Sequence, residues 1–356
     1  MTRRVSTEVL HQVISDVLQS YAVSQQHADM VARGLVEADM LGLDTHGVAH
    51  LVTHPSYIPG LESGLIDPHP TIRVTELASA LAMVDGGRGM GLIGMTVALD
   101  AAMERALQHG MAAAWVQNSY HAGALAYFVR SGAVNDLITI ATTNTRPSVV
   151  PTFGLQRALG TNPISIGVPY QANRVLLLDM ATSAVAAGRV EQALRENESM
   201  PLGWVVDKNG QDTPDPADYF DGGGLLPLGS TPQLSNYKGY GLAVMVDVLT
   251  GLLSGMGHSL ALPIHGHSHM IMCLDVSKVR GLTEFKEAVR TMVDDLHAIA
   301  PVAGHQVLVP GEREWQNYEE RIVNGIPVSS KVLQDLSALL RKRGLLSLLP
   351  QVDPAV

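Results

Sequence analysis

Val84-Asp-Gly-Gly-Arg-Gly89-Met-Gly91-Leu-Ile-Gly94 is the stretch on which the fold turns. It satisfies G-x-G-x-x-G, follows a short apolar run and opens a helical pattern from Met95 to His109. That is the setting of a Rossmann fingerprint, whose glycines let a pyrophosphate approach a helix N-terminus. Two features speak against that reading. The next apolar run, Ala112 to Val116, leads into Gln117-Asn-Ser119 and not into an acid for a ribose 2′-hydroxyl. The glycines also come late, behind a long helical preface and behind a cluster of catalytic residue types, in a chain with 34 glycines where a chance match is not rare. The stretch is read as a tight turn closing on a helix start.

Upstream, residues 5 to 42 read as two helices. Val9, Leu10, Val13, Ile14, Val17 and Leu18 recur at helical spacing behind Ser6 as N-cap, and Ala28, Val31, Ala32, Leu35 and Val36 behind Ser24. Downstream, Ala78 to Val84, Ala112 to Val116, Leu137 to Thr142, Ile164 to Val168, Val175 to Leu178 and His269 to Leu274 read as strands. Tyr240 to Ser254 reads as an apolar helix, and the tail returns to helices at Phe285 to Ile299 and Ser329 to Arg343. The class is α/β, with helical termini sharing one lobe (residues 1–75 and 281–356) around a mixed central segment (76–280). A chain of 356 residues fits two such lobes.

Apolar residues make up 46% and charged residues 16%, which suits a globular enzyme with large buried surfaces. The net charge of -10 opposes nucleic acid and anionic membranes as partners. The single cysteine, Cys273, permits no intrachain disulfide. The start, Met1-Thr-Arg-Arg-Val-Ser, lacks an apolar run behind its basic residues, and no membrane-length apolar stretch follows. A cytoplasmic location is expected.

Several turns concentrate reactive side chains. Asp44-Thr45-His46-Gly-Val-Ala-His50 offers histidine as general acid or base near neutral pH, with a hydroxyl beside it. Asn118-Ser-Tyr-His121-Ala-Gly-Ala places a second histidine where a strand ends, before small residues that let a ligand approach; a helix start capped by Ser119 is the plainer reading. Thr142-Thr-Asn-Thr-Arg146 and Leu159-Gly-Thr161-Asn-Pro are turns rich in donors. Lys238 stands at the start of an apolar helix, where the helix dipole disfavours a cation that has no anion to bind. His265, His267 and His269 alternate, but no cysteine lies in the run and no carboxylate precedes Asp275, so no metal is expected.

Taken in order, these turns resemble the malate/L-lactate dehydrogenase family of the non-Rossmann kind, which also includes ureidoglycolate, sulfolactate and diketogulonate dehydrogenases and reductases of cyclic imino acids. The matching stretches are Asp44-Thr-His-Gly-Val, Val84-Asp-Gly-Gly, Asn118-Ser-Tyr-His, Leu159-Gly-Thr-Asn-Pro, Leu178-Asp-Met-Ala-Thr-Ser, Pro201-Leu-Gly-Trp204, Leu226-Pro-Leu-Gly229, Tyr237-Lys-Gly-Tyr-Gly and Val309-Pro-Gly-Glu-Arg-Glu-Trp315. The resemblance implies a mixed, largely antiparallel sheet with surrounding helices, a homodimer, and NAD or NADP as cofactor. It implies hydride transfer at C2 of a small 2-hydroxy or 2-oxo acid. The central segment becomes the cofactor-binding domain, and the helical lobe supplies substrate and dimer contacts.

The resemblance also assigns roles. His121, Ala122, Gly123, Ala124 and Leu125 would touch the cofactor, as would Asp179, Met180, Ala181, Lys238, Gly311, Glu312, Arg313, Glu314 and Trp315. His46 would carry the proton, beside Thr45 where serine is usual, with His121 the second candidate; Thr161 would touch the substrate. Three departures matter. His50 stands where the family usually has a carboxylate-binding arginine, so Arg146 is expected to take over, with a protonated His50 as the other solution. Tyr237 stands where histidine is common. Arg189 stands where imine-reducing members have an aspartate, which argues against a cyclic imino acid; that substrate, and a dinucleotide-binding protein without catalysis, are the alternatives.

Overall fold

The computed structural model describes residues 2–263 and 266–348. It opens with β1 (Thr2–Val5), α1 (Thr7–Ser20), α2 (Gln25–Met40), α3 (Val48–Thr53) and α4 (Ile58–Glu62). Then come β2 (Arg73–Ala78), β3 (Leu81–Asp85), α5 (Gly91–His109), β4 (Met111–Ser119), α6 (Leu125–Val134), β5 (Leu137–Asn144), β6 (Ile164–Pro169) and β7 (Val175–Met180). A peripheral part holds α7 (Ala187–Glu196), β8 (Val205–Val206), β9 (Asp212–Thr213), α8 (Pro216–Phe220) and β10 (Gly224–Leu225). The chain ends with α9 (Tyr237–Val246), β11 (His267–Asp275), α10 (Leu282–His297), α11 (Glu312–Asn324), β12 (Ile326–Ser329) and α12 (Ser330–Arg343).

Both early caps form as the sequence implies: Ser6 Oγ accepts the Val9 N–H and Ser24 Oγ the His27 N–H, each at 3.3 Å. The main sheet runs β2-β3-β4-β11-β5-β6-β7. Only β3 and β4 pair in parallel; every other neighbour is antiparallel. One apolar core, with Leu10, Val31, Leu92, Val116, Ile271 and Leu336 among its members, joins the terminal helices to α5 and the sheet. α10 packs elsewhere, through Val289 and Val293 against Tyr170 and Trp315.

β3, α5 and β4 thus form a local βαβ unit, the very context in which a glycine fingerprint works. Here its turn is filled by the chain. The Gly91 N–H donates to His121 O at 3.1 Å, and a Cβ on Gly91 would lie 2.0 Å from Tyr120 O. A Cβ on Gly89 would meet the Pro70 ring at 2.7 Å. These glycines admit neighbouring segments of this protein.

Two expectations need correction, and two segments gain detail. Ala78 to Val84 is not one strand: the chain turns at residues 79 and 80 between β2 and β3, and all six β2 residues are exposed, so β2 carried no buried pattern to read. Ser119 caps no helix; it lies in β4, and α6 starts only at Leu125 with Ala124 as N-cap. The run from Gly311 to Trp315 opens α11, a charge-rich helix with only Trp315 and Arg321 buried. The helix from Tyr237 widens into a π-helical turn at Asp247–Leu252, where the buried Asp247 carboxylate accepts from Ser259 Oγ (2.9 Å) and Ser259 N–H (3.1 Å). Of the alternating histidines, His265 lies outside the described residues, and the β11–β4 pairing shifts register between His267 and His269.

The sheet's two edges differ. On β7, Leu177 N–H donates to Pro310 O (3.2 Å) and Trp315 Nε1–H to Val175 O (2.6 Å), so the loop into α11 lies along it. Among the described residues, β2 has no strand beyond it.

Candidate active site

The loop after α2 carries Asp44, Thr45 and His46 and is built from below. Asp39, buried at the end of α2, accepts the Val48 N–H through Oδ2 at 2.8 Å, starting α3 where Gly47 has no side chain to cap it. Gly47 leaves room for that carboxylate, since a Cβ there would lie 1.8 Å from Asp39 Oδ1. Burial pushes the Asp39 carboxyl up to about 8, against the pull of that amide. Arg321 of α11 closes the loop, pairing with Asp44 Oδ1 at 2.6 Å and donating to Asp39 O.

His46, His50 and His54 follow at intervals of four, and across α3 their rings gather. His46 and His50 have centroids 5.3 Å apart, and His50 and His54 4.9 Å. His121, arriving from the end of β4, completes the group at 5.6 Å from His46, 5.2 Å from His50 and 4.4 Å from His54. His267 of β11 stands 5.9 Å beyond His121. Thr45 Oγ1 lies 3.0 Å from His46 Nδ1. Burial lowers the His46 pKa to about 4. Burial first, and then the neighbouring imidazoles, hold His50 and His121 well below the ordinary histidine value. His50 Nδ1 is buried without a hydrogen-bond partner among the described residues. Among the described residues, no group of histidines, cysteines and acids is arranged to hold a metal ion.

The turns of Asp179, Thr161 and Lys238 are tied one to the next from the start of α6, while the Gly311–Trp315 segment lies along the outer edge of β7. Asp179, at the end of β7, accepts the Ala126 N–H at 3.0 Å, which brings Asp179, Met180 and Ala181 against the start of α6. Burial pushes its carboxyl up to about 7. Ala122, Ala124 and Leu125 are buried in the core, so their side chains are closed to a ligand. Thr161 O accepts the Thr182 N–H at 2.9 Å, and Thr182 O accepts the Leu228 N–H at 2.9 Å. Asn236 Nδ2 donates to Ser230 O at 3.1 Å, so the loop 227–230 joins these turns to the start of α9, where Lys238 is exposed and makes no ion pair among the described residues. In the α11 segment Glu312 accepts from Val309 N–H (3.1 Å) and pairs with His297 (2.8 Å), while Trp315 stacks on Tyr170 at 5.4 Å. Arg146 is exposed on the turn after β5, where Thr145 Oγ1 accepts the Thr161 N–H at 3.0 Å.

Sequence reasoning missed His54, Tyr57, Asp39 and Arg321. The spacing of His46, His50 and His54 was the available signal, hidden because a six-residue helix was read as loop. His269, by contrast, is a satisfied core histidine, between Thr143 Oγ1 (2.8 Å) and Tyr120 O (3.0 Å).

Such a site can give or take one proton at a substrate oxygen while a redox cofactor carries the electrons, and the protein is an enzyme of the 2-hydroxyacid dehydrogenase class. The malate/L-lactate dehydrogenase model matches residues 5–337, and the chain belongs to that family. It is 34% identical over 348 residues to malate dehydrogenase of Pyrococcus horikoshii, covering 96% of each chain. It is 31% identical over 344 residues to the NAD(+) ureidoglycolate dehydrogenase of Escherichia coli, covering 94% of this chain and 95% of that one. The crystal structure of malate dehydrogenase from Entamoeba histolytica superposes with a TM-score of 0.91 at 28% identity, over 97% of this chain and 99% of that one. The family and its non-Rossmann, mostly antiparallel sheet agree with the resemblance read from the sequence.

Proposed function

We propose that the protein moves a hydride between NAD or NADP and C2 of a small 2-hydroxy or 2-oxo acid of the malate, lactate, sulfolactate or ureidoglycolate class, with His46 carrying the proton. The observation behind this is the imidazole group around His46, whose member His121 leads into the α6 start that Asp179 holds. The nicotinamide, when bound, supplies or accepts the hydride. In reduction, protonated His46 gives its proton to the keto oxygen; in oxidation, neutral His46 takes the hydroxyl proton. Thr45, 3.0 Å from Nδ1, orients the ring. Thr161 touches the substrate.

The donor set fits a dinucleotide. Lys238 offers a cation with no carboxylate on it among the described residues, and the turn His121 to Leu125 offers backbone amides at the start of α6. Asp179, Met180, Ala181 and the segment Gly311 to Trp315 supply the flanks. The cofactor part is residues 76–280, and the terminal parts 1–75 and 281–356 bring His46 and His50 to it. In a structure with reduced cofactor, the pyrophosphate is expected away from Gly89–Gly94; density on those amides would refute the assignment.

The substrate carboxylate goes to Arg146. Its guanidinium has no partner among the described residues and flanks the Thr145–Thr161 turn. A protonated His50 is the competing clamp, disfavoured by burial and by His46 and His54 beside it.

A homodimer is supported by an exposed apolar face. Leu242, Met245, Leu249, Leu252 and Leu253 are each 41–54% exposed along one helix. Light scattering at micromolar concentration is expected to give twice the 38.0 kDa chain mass, and a monomer would refute it. Cytoplasmic location is the reading that the one buried cysteine supports. No helix among the described residues is long and apolar enough to cross a membrane.

The deciding assay compares 2-oxo acids with cyclic imino acids, each with NADH and NADPH. Turnover of 2-oxo acids is expected. Preference for imino acids would overturn the substrate assignment, and binding of cofactor without turnover would overturn catalysis.

A further inference from the structure

His121 is held from several sides. Its main-chain N–H donates to Ser56 Oγ at 3.4 Å, and its carbonyl accepts the Gly91 N–H. Its Nδ1 faces two groups, the Gly123 N–H at 3.2 Å and the Tyr57 hydroxyl at 3.2 Å. A backbone N–H can only donate, so Nδ1 is the bare nitrogen, and the ring hydrogen of the neutral imidazole is on Nε2. The Tyr57 hydroxyl therefore donates as well. Tyr57 is fully buried, and burial raises its pKa so that it stays a phenol. A neutral ring with hydrogen on Nε2 can take a proton only at Nδ1. That nitrogen already receives two donors, and His46, His50, His54 and His267 all oppose a charge on it. The same lock recurs at His54, whose Nδ1 accepts the Ser56 N–H at 3.2 Å.

We propose that Tyr57 is a positioning residue which, with the Gly123 amide, fixes His121 as a permanent N–H donor to a substrate oxygen and leaves proton transfer to His46 alone. The inference rests on the hydride-transfer reading above. In reduction C2 gains the hydride, the oxygen gains the His46 proton, and His121 lends only a hydrogen bond to the oxygen as charge develops.

The test compares His121→Gln, which keeps a neutral N–H donor, with His121→Leu, which does not. Losing an oxyanion donor lowers turnover by about 10²-fold or more, so His121→Leu is expected to fall that far. His121→Gln is expected to stay within about tenfold of wild type and to keep the wild-type pH limb of kcat/KM, because His46 carries the titration. A His121→Gln protein as inactive as His121→Leu, or one whose pH limb has vanished, overturns the proposal. Nitrogen NMR of histidine-labelled wild-type enzyme gives a readout independent of any variant's folding. A bare Nδ1 and protonated Nε2 on His121 are expected, and in Tyr57→Phe the Nδ1 resonance is expected to move as it loses one of its two donors while the Gly123 amide keeps the tautomer. A protonated Nδ1 in wild type, or an unaltered His121 in Tyr57→Phe, overturns the role of Tyr57. Absence of turnover on every substrate would instead strike the hydride-transfer reading, and the NMR result would stand apart from it.

Discussion

His46→Ala is expected to lower turnover by about 10²- to 10⁴-fold, the usual contribution of a general acid-base group, and to leave cofactor affinity within a few-fold. The ring packs on His50 and His121 and belongs to none of the segments assigned to the cofactor, so its loss removes a proton carrier without removing an assigned cofactor contact. Its pH dependence has a definite sign. With burial holding its pKa at about 4, His46 is neutral in the free enzyme at neutral pH. Neutral His46 is the form that oxidation needs, so kcat/KM for oxidation is flat near neutrality and falls as pH drops through about 4. Protonated His46 is the form that reduction needs, so kcat/KM for reduction falls as pH rises. His46→Ala abolishes both slopes. Turnover retained within a few-fold in His46→Ala, with His121→Ala inactive, would show that the roles are exchanged.

Arg146→Ala is expected to raise KM for a 2-oxo acid at least tenfold, about 1.4 kcal/mol of binding. A guanidinium is charged at every accessible pH and meets a carboxylate with two parallel N–H donors, which a neutral imidazole cannot do. Wild-type KM should therefore vary little between about pH 6 and 8, where an unperturbed histidine would titrate. The competing clamp predicts the reverse. Protonating His50 means adding charge to a ring packed 5.3 Å from His46, 4.9 Å from His54 and 5.2 Å from His121. KM would then climb steeply as pH rises, and Arg146→Ala would leave it unchanged. That pair of results would reject Arg146 and favour His50.

Periodicity carried the fold wherever one face of an element is buried. α1 and α2 were legible because apolar stripes and serine caps coincide, and β11, β5 and β6 because apolar residues fill them. β2 and α11 were not, since β2 exposes every side chain and α11 buries only Trp315 and Arg321. The glycine run was legible as a turn, but what fills it, the backbone of Tyr120 and His121, arrives from beyond the next strand. The site divides in the same way. Residues inside short motifs, such as His46, His121, Asp179 and Lys238, could be picked from the sequence. Partners brought by the fold could not: Asp39 beneath Gly47, Arg321 reaching Asp44 across 277 positions, and Tyr57 on His121 across 64.

The unequal edges of the main sheet bear on how the molecule can meet its own copies. Hydrogen bonds from Leu177 and to Val175 close β7, so no further strand can be added there. β2 is open, but it carries Arg73 and Glu76, and its pairing slips between Glu76 and Ala78. Charge and irregularity of this kind discourage another chain from docking as an extra strand. Runaway stacking of sheets into fibres is blocked at one end and hindered at the other, which leaves side-chain packing between helices as the safe route to self-association.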